Sequence, residues 1–241
     1  MQEKINALFS FLNENREYNK ALQERYYKSI VLPFSDPTEK VISLLYSIAN
    51  TQSQPKIDYL ADFFKSLYID INCLNSMTDF VEKINPSKSP SFENLFVGLS
   101  NQNGWGQKTA ALFVKSIYHI HNGEYSRELK IWNDVPNEIS AVDKFYLPVD
   151  AVIITIFSTI DNSVKWNFDK INRMLSSYYN SAQMEVWDDL WFWGFITQNG
   201  TGDNRHLVWN ENKYWALKES DKNAHVINEI QNKAVEFLSL L

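Results

Sequence analysis

The chain has seven glycines in 241 residues, and two of them bracket one tryptophan in the stretch 101–115, NQNGWGQKTAALFVK. Glycine lets a backbone turn tightly, come close to a neighbour or take a positive φ. Directly after the pair, Ala110, Phe113, Val114 and Ile117 fall at i, i+3, i+4 and i+7, one face of a helix. The segment therefore predicts a glycine turn opening straight into a buried helix. Lys108 falls in that helix's first turn. The positive end of the helix dipole disfavours a cation there, a placement that suits an amine acting as a nucleophile.

The rest of the chain reads as helix after helix. Leu8, Phe11 and Leu12 form an apolar stripe, and Asp36 before Pro37 is a helix start, cap then proline. Val41, Leu44, Leu45 and Ile48 make the next core face, which stops in the polar run 49–54. Pro55 opens a helix with Ile57, Leu60, Ala61, Phe64 and Leu67 on one side, and residues 78–99 give two short helices around a Pro-Ser-Lys-Ser-Pro break. A polar insert spans 122–146, and Asp150 starts a β-branched helix. Helices are expected at about 163–180 and 182–198, then a polar loop over 199–215 and a last helix over 221–240. The fold class is all-α, with one lobe built from both chain ends (1–50 and 149–241) and another from 51–148.

Charge and cysteine content exclude several classes. The net charge is −6, which counts against a non-specific polyanion binder, though not against an enzyme with a basic groove. The single cysteine, Cys73, allows neither an internal disulfide nor a four-cysteine iron–sulfur cluster. His119 and His121 lack a clear third ligand, so no metal site is expected. No signal peptide and no 18-residue apolar span is visible, which predicts an intracellular protein off the membrane. Aromatics make up 15% of the chain, usable for stacking on bases or for a core rich in rings.

The segment GWGQKTAALFVK resembles the glycine hairpin and catalytic lysine of the helix-hairpin-helix DNA glycosylases, whose pattern is Gly-x-Gly-x-Lys followed by small and apolar residues. In that family an aspartate follows at the end of a Pro-Val-Asp or similar turn, and here Leu147-Pro148-Val149-Asp150 comes in the same order. The insert 122–146 sets Lys108 and Asp150 42 residues apart, further than in compact members. Loop length alone costs little once its ends are packed.

The resemblance implies a two-lobed helical glycosylase with an inter-lobe cleft, acting as a monomer on damaged double-stranded DNA. Lys108 would attack C1′ of an extruded nucleotide and form a Schiff base, giving AP lyase as well as glycosylase activity. Asp150 would assist, and it is also a favoured N-cap. Gly104, Trp105, Gly106 and Gln107 would meet DNA phosphates through backbone N–H groups, with a structural monovalent cation at the hairpin on DNA binding and no other cofactor. Thr51 and Gln52 match the polar loop that enters the space left by the extruded base, and equally read as a capping loop. Asp189 and Trp193, four apart on a late helix, look like the pair that reads and stacks an oxidised purine, chiefly 8-oxoguanine. A Trp-rich core helix is the other reading. Against this stand a non-catalytic helix-hairpin-helix DNA-binding protein, a glycosylase for another modified base, and a helical scaffold unrelated to DNA.

Overall fold

The structure, a computed structural model, describes residues 1–217 and 224–241. The helices in chain order begin with α1 (Gln2–Glu14), α2 (Arg16–Val31), α3 (Pro37–Ala49) and α4 (Ile57–Ile69). Then come α5 (Met77–Ile84), α6 (Phe92–Ser100), α7 (Gln107–Asn122), α8 (Ala151–Ile160) and α9 (Phe168–Ser176). Last are α10 (Ser181–Met184), α11 (Asp189–Ile196), α12 (Glu211–Leu217) and α13 (Ala224–Ser239). Among the described residues the only strands are β1 (Gln198–Asn199) and β2 (His206–Leu207), an antiparallel pair. Helix dominates, as the periodicity predicts.

Local chemistry explains most boundaries. Asp36 accepts from the N–H groups of Thr38 and Glu39 and starts α3 with Pro37 behind it. Ser76, Ser91 and Asn167 cap α5, α6 and α9 in the same way. The segment 182–198 is not the single helix expected, because a 3-10 turn at Val186–Asp188 separates α10 from α11. The region 199–215 is also more ordered than a loop: it holds β2 and most of α12. Positions 221–223 of the expected last helix lie outside the described residues.

The chain divides into two compact units. The first comprises Met1–Leu22, Val149–Tyr178 and Val186–Leu241, and the second Gln23–Pro148 and Tyr179–Glu185. The boundary expected at residue 50 thus lies at 22, within α2. The reason is that the buried face of α3, Val41, Leu44, Leu45 and Ile48, packs on α7 and keeps 23–50 in the second unit. Residues 179–185 join the same unit, where Glu185 reaches His119 and Ser181 donates to the carbonyl of Asp143.

In the first unit α11 packs against α8, α12 and α13, and α1 lies on the 3-10 turn. Trp187, Trp193, Phe192, Phe157 and Phe237 fill its core. Gly194 lets α11 approach α8, since a Cβ there would sit 2.5 Å from Ile156 Cδ1 and 2.8 Å from Val152 Cγ1.

In the second unit α6 and α7 pack along each other, with α3 on α7 and α5 on α6. Ala110, Phe113, Val114 and Ile117 are buried, as their spacing predicts. The insert 122–146 is a strap held by specific bonds. Asp134 accepts from Met77 and Thr78 N–H at the start of α5, both at 2.9 Å. Asp143 does the same for Phe92 and Glu93 at the start of α6, at 2.8 and 2.7 Å. Trp132 Nε1 donates to the Leu74 carbonyl, and the half-buried Nζ of Lys40 donates to the carbonyls of Glu128 and Lys130. His121 Nε2 accepts from Ile131 N–H at 3.2 Å. Burial, and then the charge of Lys130, push the His121 imidazole down to about 4.

Candidate functional site

The glycine turn forms as predicted, and its two glycines do different jobs. Gly104 has φ +85°, and a Cβ there would stand 3.0 Å from Leu60 N and 3.1 Å from its side chain. Only glycine fits that turn against the first residues of α4. Gly106 has extended φ of −127° and open space where a Cβ would go. It starts α7 without a side chain to cap it, and Thr109 Oγ1 compensates by accepting from Gly106 N–H at 3.1 Å and donating to its carbonyl at 3.0 Å.

One expectation at this turn needs correction. The ring of Trp105 is buried edge-on to Phe63 and Phe113. The N–H of Trp105 goes to the Gln102 carbonyl and that of Gly106 to Thr109. Those two donors are therefore engaged within the protein and are not held out as a cradle for phosphate. Gln107 remains exposed at the start of α7.

The polar loop after α3 comes to the same place. Gln52 Nε2 donates to the Gly104 carbonyl at 3.1 Å, and Lys108 Nζ lies 3.4 Å from the Thr51 carbonyl and 3.5 Å from its Oγ1. Thr51 is exposed, and Gln52 and Lys108 are half-buried. The contacts of the amine are long and polar, and among the described residues no carboxylate pairs with it. Lysine, threonine and glutamine thus form one polar patch on the second unit, although more than fifty residues separate the loop from the turn. A lysine held by weak acceptors at a partly open surface is free to reorient toward an electrophile.

Asp150 lies in the first unit. Its Oδ1 accepts from Val152 and Ile153 N–H at 2.9 and 3.1 Å and caps α8. Its Oδ2 accepts from Trp191 Nε1–H at 3.0 Å. Trp191 in turn stacks on Phe195, with centroids 4.9 Å apart and planes 16° apart, and both rings are half-buried. Lys213 Nζ sits 4.9 Å from the Phe195 centroid. Arg205 Nη1 donates to Gln198 Oε1, and Gln198 Nε2 donates to the Val152 carbonyl in the first turn of α8. Sequence reasoning passed over Trp191, Phe195, Gln198 and Lys213. Their one signal was position: Trp191 and Phe195 are four apart in the same Trp-rich run.

Asp189 and Trp193 do not form a base pocket. Asp189 is 2% exposed, held by Arg16 Nε at 3.1 Å and Asn19 Nδ2 at 2.6 Å. Trp193 is 0% exposed, ringed by Phe11, Tyr18, Phe192 and Phe237. A ring enclosed on all sides has no face left for a base. The core reading of this helix face replaces the purine-reading one.

The two histidines also have structural partners: His119 Nε2 is 2.8 Å from Glu185 Oε1, and His121 anchors the strap. Cys73 is a free buried thiol that burial pushes up in pKa. Among the described residues no group of three or more His, Cys, Asp or Glu is placed to hold a metal ion, and no helix is long and apolar enough to cross a membrane. Compared with protein-family models, with characterised proteins and with solved structures, the chain matches none of them.

Proposed function

We propose that the chain is a DNA glycosylase with lyase activity, built on a helix-hairpin-helix formed by α6, the turn 101–106 and α7, with Lys108 as its nucleophile. The observation that supports the reading most is the polar patch: Gln52 on the Gly104 carbonyl, and the Lys108 amine beside Thr51. The lysine stands in the first turn of α7, against the helix dipole and beside a second polar loop.

In this reaction the neutral amine of Lys108 bonds to C1′ as the C1′–N bond breaks, and the base leaves with the electron pair and takes up a proton. The sugar ring opens to an imine. Loss of a C2′ proton then expels the 3′ phosphate, and water releases the lysine. The resemblance gives the assisting carboxylate to Asp150, which also caps α8. The excised base loses the support that Asp189 and Trp193 gave to 8-oxoguanine. It is to be read from a panel of damaged duplexes headed by 8-oxoguanine and including other modified bases.

Borohydride added during turnover tests the reading. A covalent protein–DNA adduct is expected with the wild type and none with Lys108→Gln. An adduct of undiminished yield in that variant moves the nucleophile elsewhere, with Lys115 the next to test. Specific duplex binding without strand cleavage or adduct leaves the non-catalytic DNA-binding reading.

A further inference from the structure

The first unit carries a second patch, which touches the proposed lysine chemistry only through the bond from Trp191 to Asp150. It surrounds the start of α8: Trp191 bonded to Asp150, Phe195 stacked on Trp191, Lys213 over Phe195, and Arg205 tied through Gln198 to the Val152 carbonyl. Two features of it point to a ligand.

The first is an aromatic pair, near parallel and only half-buried, on a helix whose neighbouring rings Phe192 and Trp193 are enclosed. The second is a pair of cations that sense each other, with no carboxylate bonded to either among the described residues. Lys213 Nζ stands 4.9 Å from the Phe195 ring centre, and its pKa is pushed down by burial and then by the charge of Arg205. The nearby acid on the same helix, Glu211, accepts from Trp215 Nε1 instead. Asp150, the acid on the indole edge, has both oxygens engaged. Arg205 itself is half-buried, with its Nη1 held by Gln198. Like charges set side by side cost free energy unless an anion joins them. A flat ring pair beside a site for an anion matches one chemical class, a base or sugar joined to a phosphate.

We propose that the Trp191–Phe195 pair with Lys213 and Arg205 is a nucleotide-phosphate site, with a ring face taking the base or sugar and the cations taking the phosphate. It rests on the DNA reading above for its occupant, a nucleotide of the bound strand. The shared chemistry also admits a free mononucleotide.

The test measures binding by fluorescence anisotropy over a salt series. The probes are a labelled duplex carrying a tetrahydrofuran abasic analogue and thymidine monophosphate as competitor. The proteins are wild type, Lys213→Gln with Arg205→Gln, Phe195→Leu, and Lys233→Gln as a distant control. Circular dichroism and thermal melting verify that each is folded, and Lys213→Gln alone replaces the double variant if that one melts early. The double variant is expected to bind the duplex at least tenfold more weakly, with the salt slope shallower by about 2. Phe195→Leu is expected to weaken binding roughly tenfold with the slope unchanged. Lys233→Gln should match wild type.

Competition by the mononucleotide that the double variant loses would make a free nucleotide a ligand of the site. Duplex binding without such competition assigns the site to the strand. Unchanged affinity and slope in the folded double variant overturn the proposal, as does a wild type that binds neither probe. The two proposals fail separately. A Lys108 adduct with unchanged binding in the double variant removes only this site, and charge-dependent binding with no adduct removes only the reaction.

Discussion

The side-chain amide of Gln52 donates to the carbonyl of Gly104, joining a loop and a turn that the sequence holds 52 residues apart. Gly104 takes a positive φ there, and a Cβ on it would meet Leu60. Gly104→Ala combines a strained φ with a contact that backbone cannot relieve, and is expected to cost about 1–3 kcal/mol. Gly106→Ala, at an extended φ with open space, is expected to cost under about 1 kcal/mol, the worth of a helix start. Urea denaturation of the two variants measures the contrast, and equal losses would contradict the roles given to the two glycines.

Asp189 is buried against Arg16 and Asn19, so its carboxylate is structural. Asp189→Ala leaves the buried Asn19 amide and the Arg16 guanidinium short of an acceptor, and a loss of about 3 kcal/mol is expected. Under the proposed glycosylase reading, the base preference of the folded variant should not change. A variant of wild-type stability with an altered base preference would restore Asp189 to substrate reading.

Asp134 and Asp143 cap helices that lie far before them in sequence. At Asp134, burial alone would raise the carboxyl, but the Thr78 hydroxyl and the N–H groups of Met77 and Thr78 outweigh it and hold the pKa below the usual value. Its stabilising effect is therefore present above the ordinary carboxylate pKa and fades as pH falls through the lowered one. Asp134→Ala is expected to cost about 1–2 kcal/mol at neutral pH, with the difference from wild type shrinking in acid. Equilibrium unfolding at neutral and acid pH gives both values.

His121 adds a separate acid sensitivity. It is buried as a neutral acceptor for Ile131 N–H, with its pKa lowered from 6.5 to about 4. Between those values the unfolded chain binds the proton and the folded chain does not, so stability falls as pH drops from 6.5 to 4 and levels off below. The full effect is at most on the order of 3 kcal/mol. His121→Gln removes the titration, and its stability-versus-pH curve should lack this part of the acid limb. Parallel curves for the two proteins would assign the acid sensitivity to other groups.

Much of the helical order could be read from spacing because apolar residues repeat cleanly where one face is buried. Asp36 with Pro37, and Ala110 with Phe113, Val114 and Ile117, are examples. The face of α11 could not be read that way. Its sequence, DLWFWGFI, is apolar all round, so spacing alone gives no means to tell enclosed Trp193 from half-open Trp191. The strap was hidden for another reason. Its bonds run to helix starts many residues earlier, and a long-range cap leaves no local pattern beyond an aspartate in a polar stretch. The boundary within α2 was hidden too, since a helix that serves two units shows no break in its sequence.

The ring of Phe11 on α1 meets that of Phe237 on α13, nearly a full chain length away. During synthesis the ring of Phe11 therefore lacks this partner until α13 has been made and released. The residues between can collapse during that interval, whereas this part of the core closes only afterwards, so the apolar stripe of α1 is open to wrong contacts for longer than the faces it precedes.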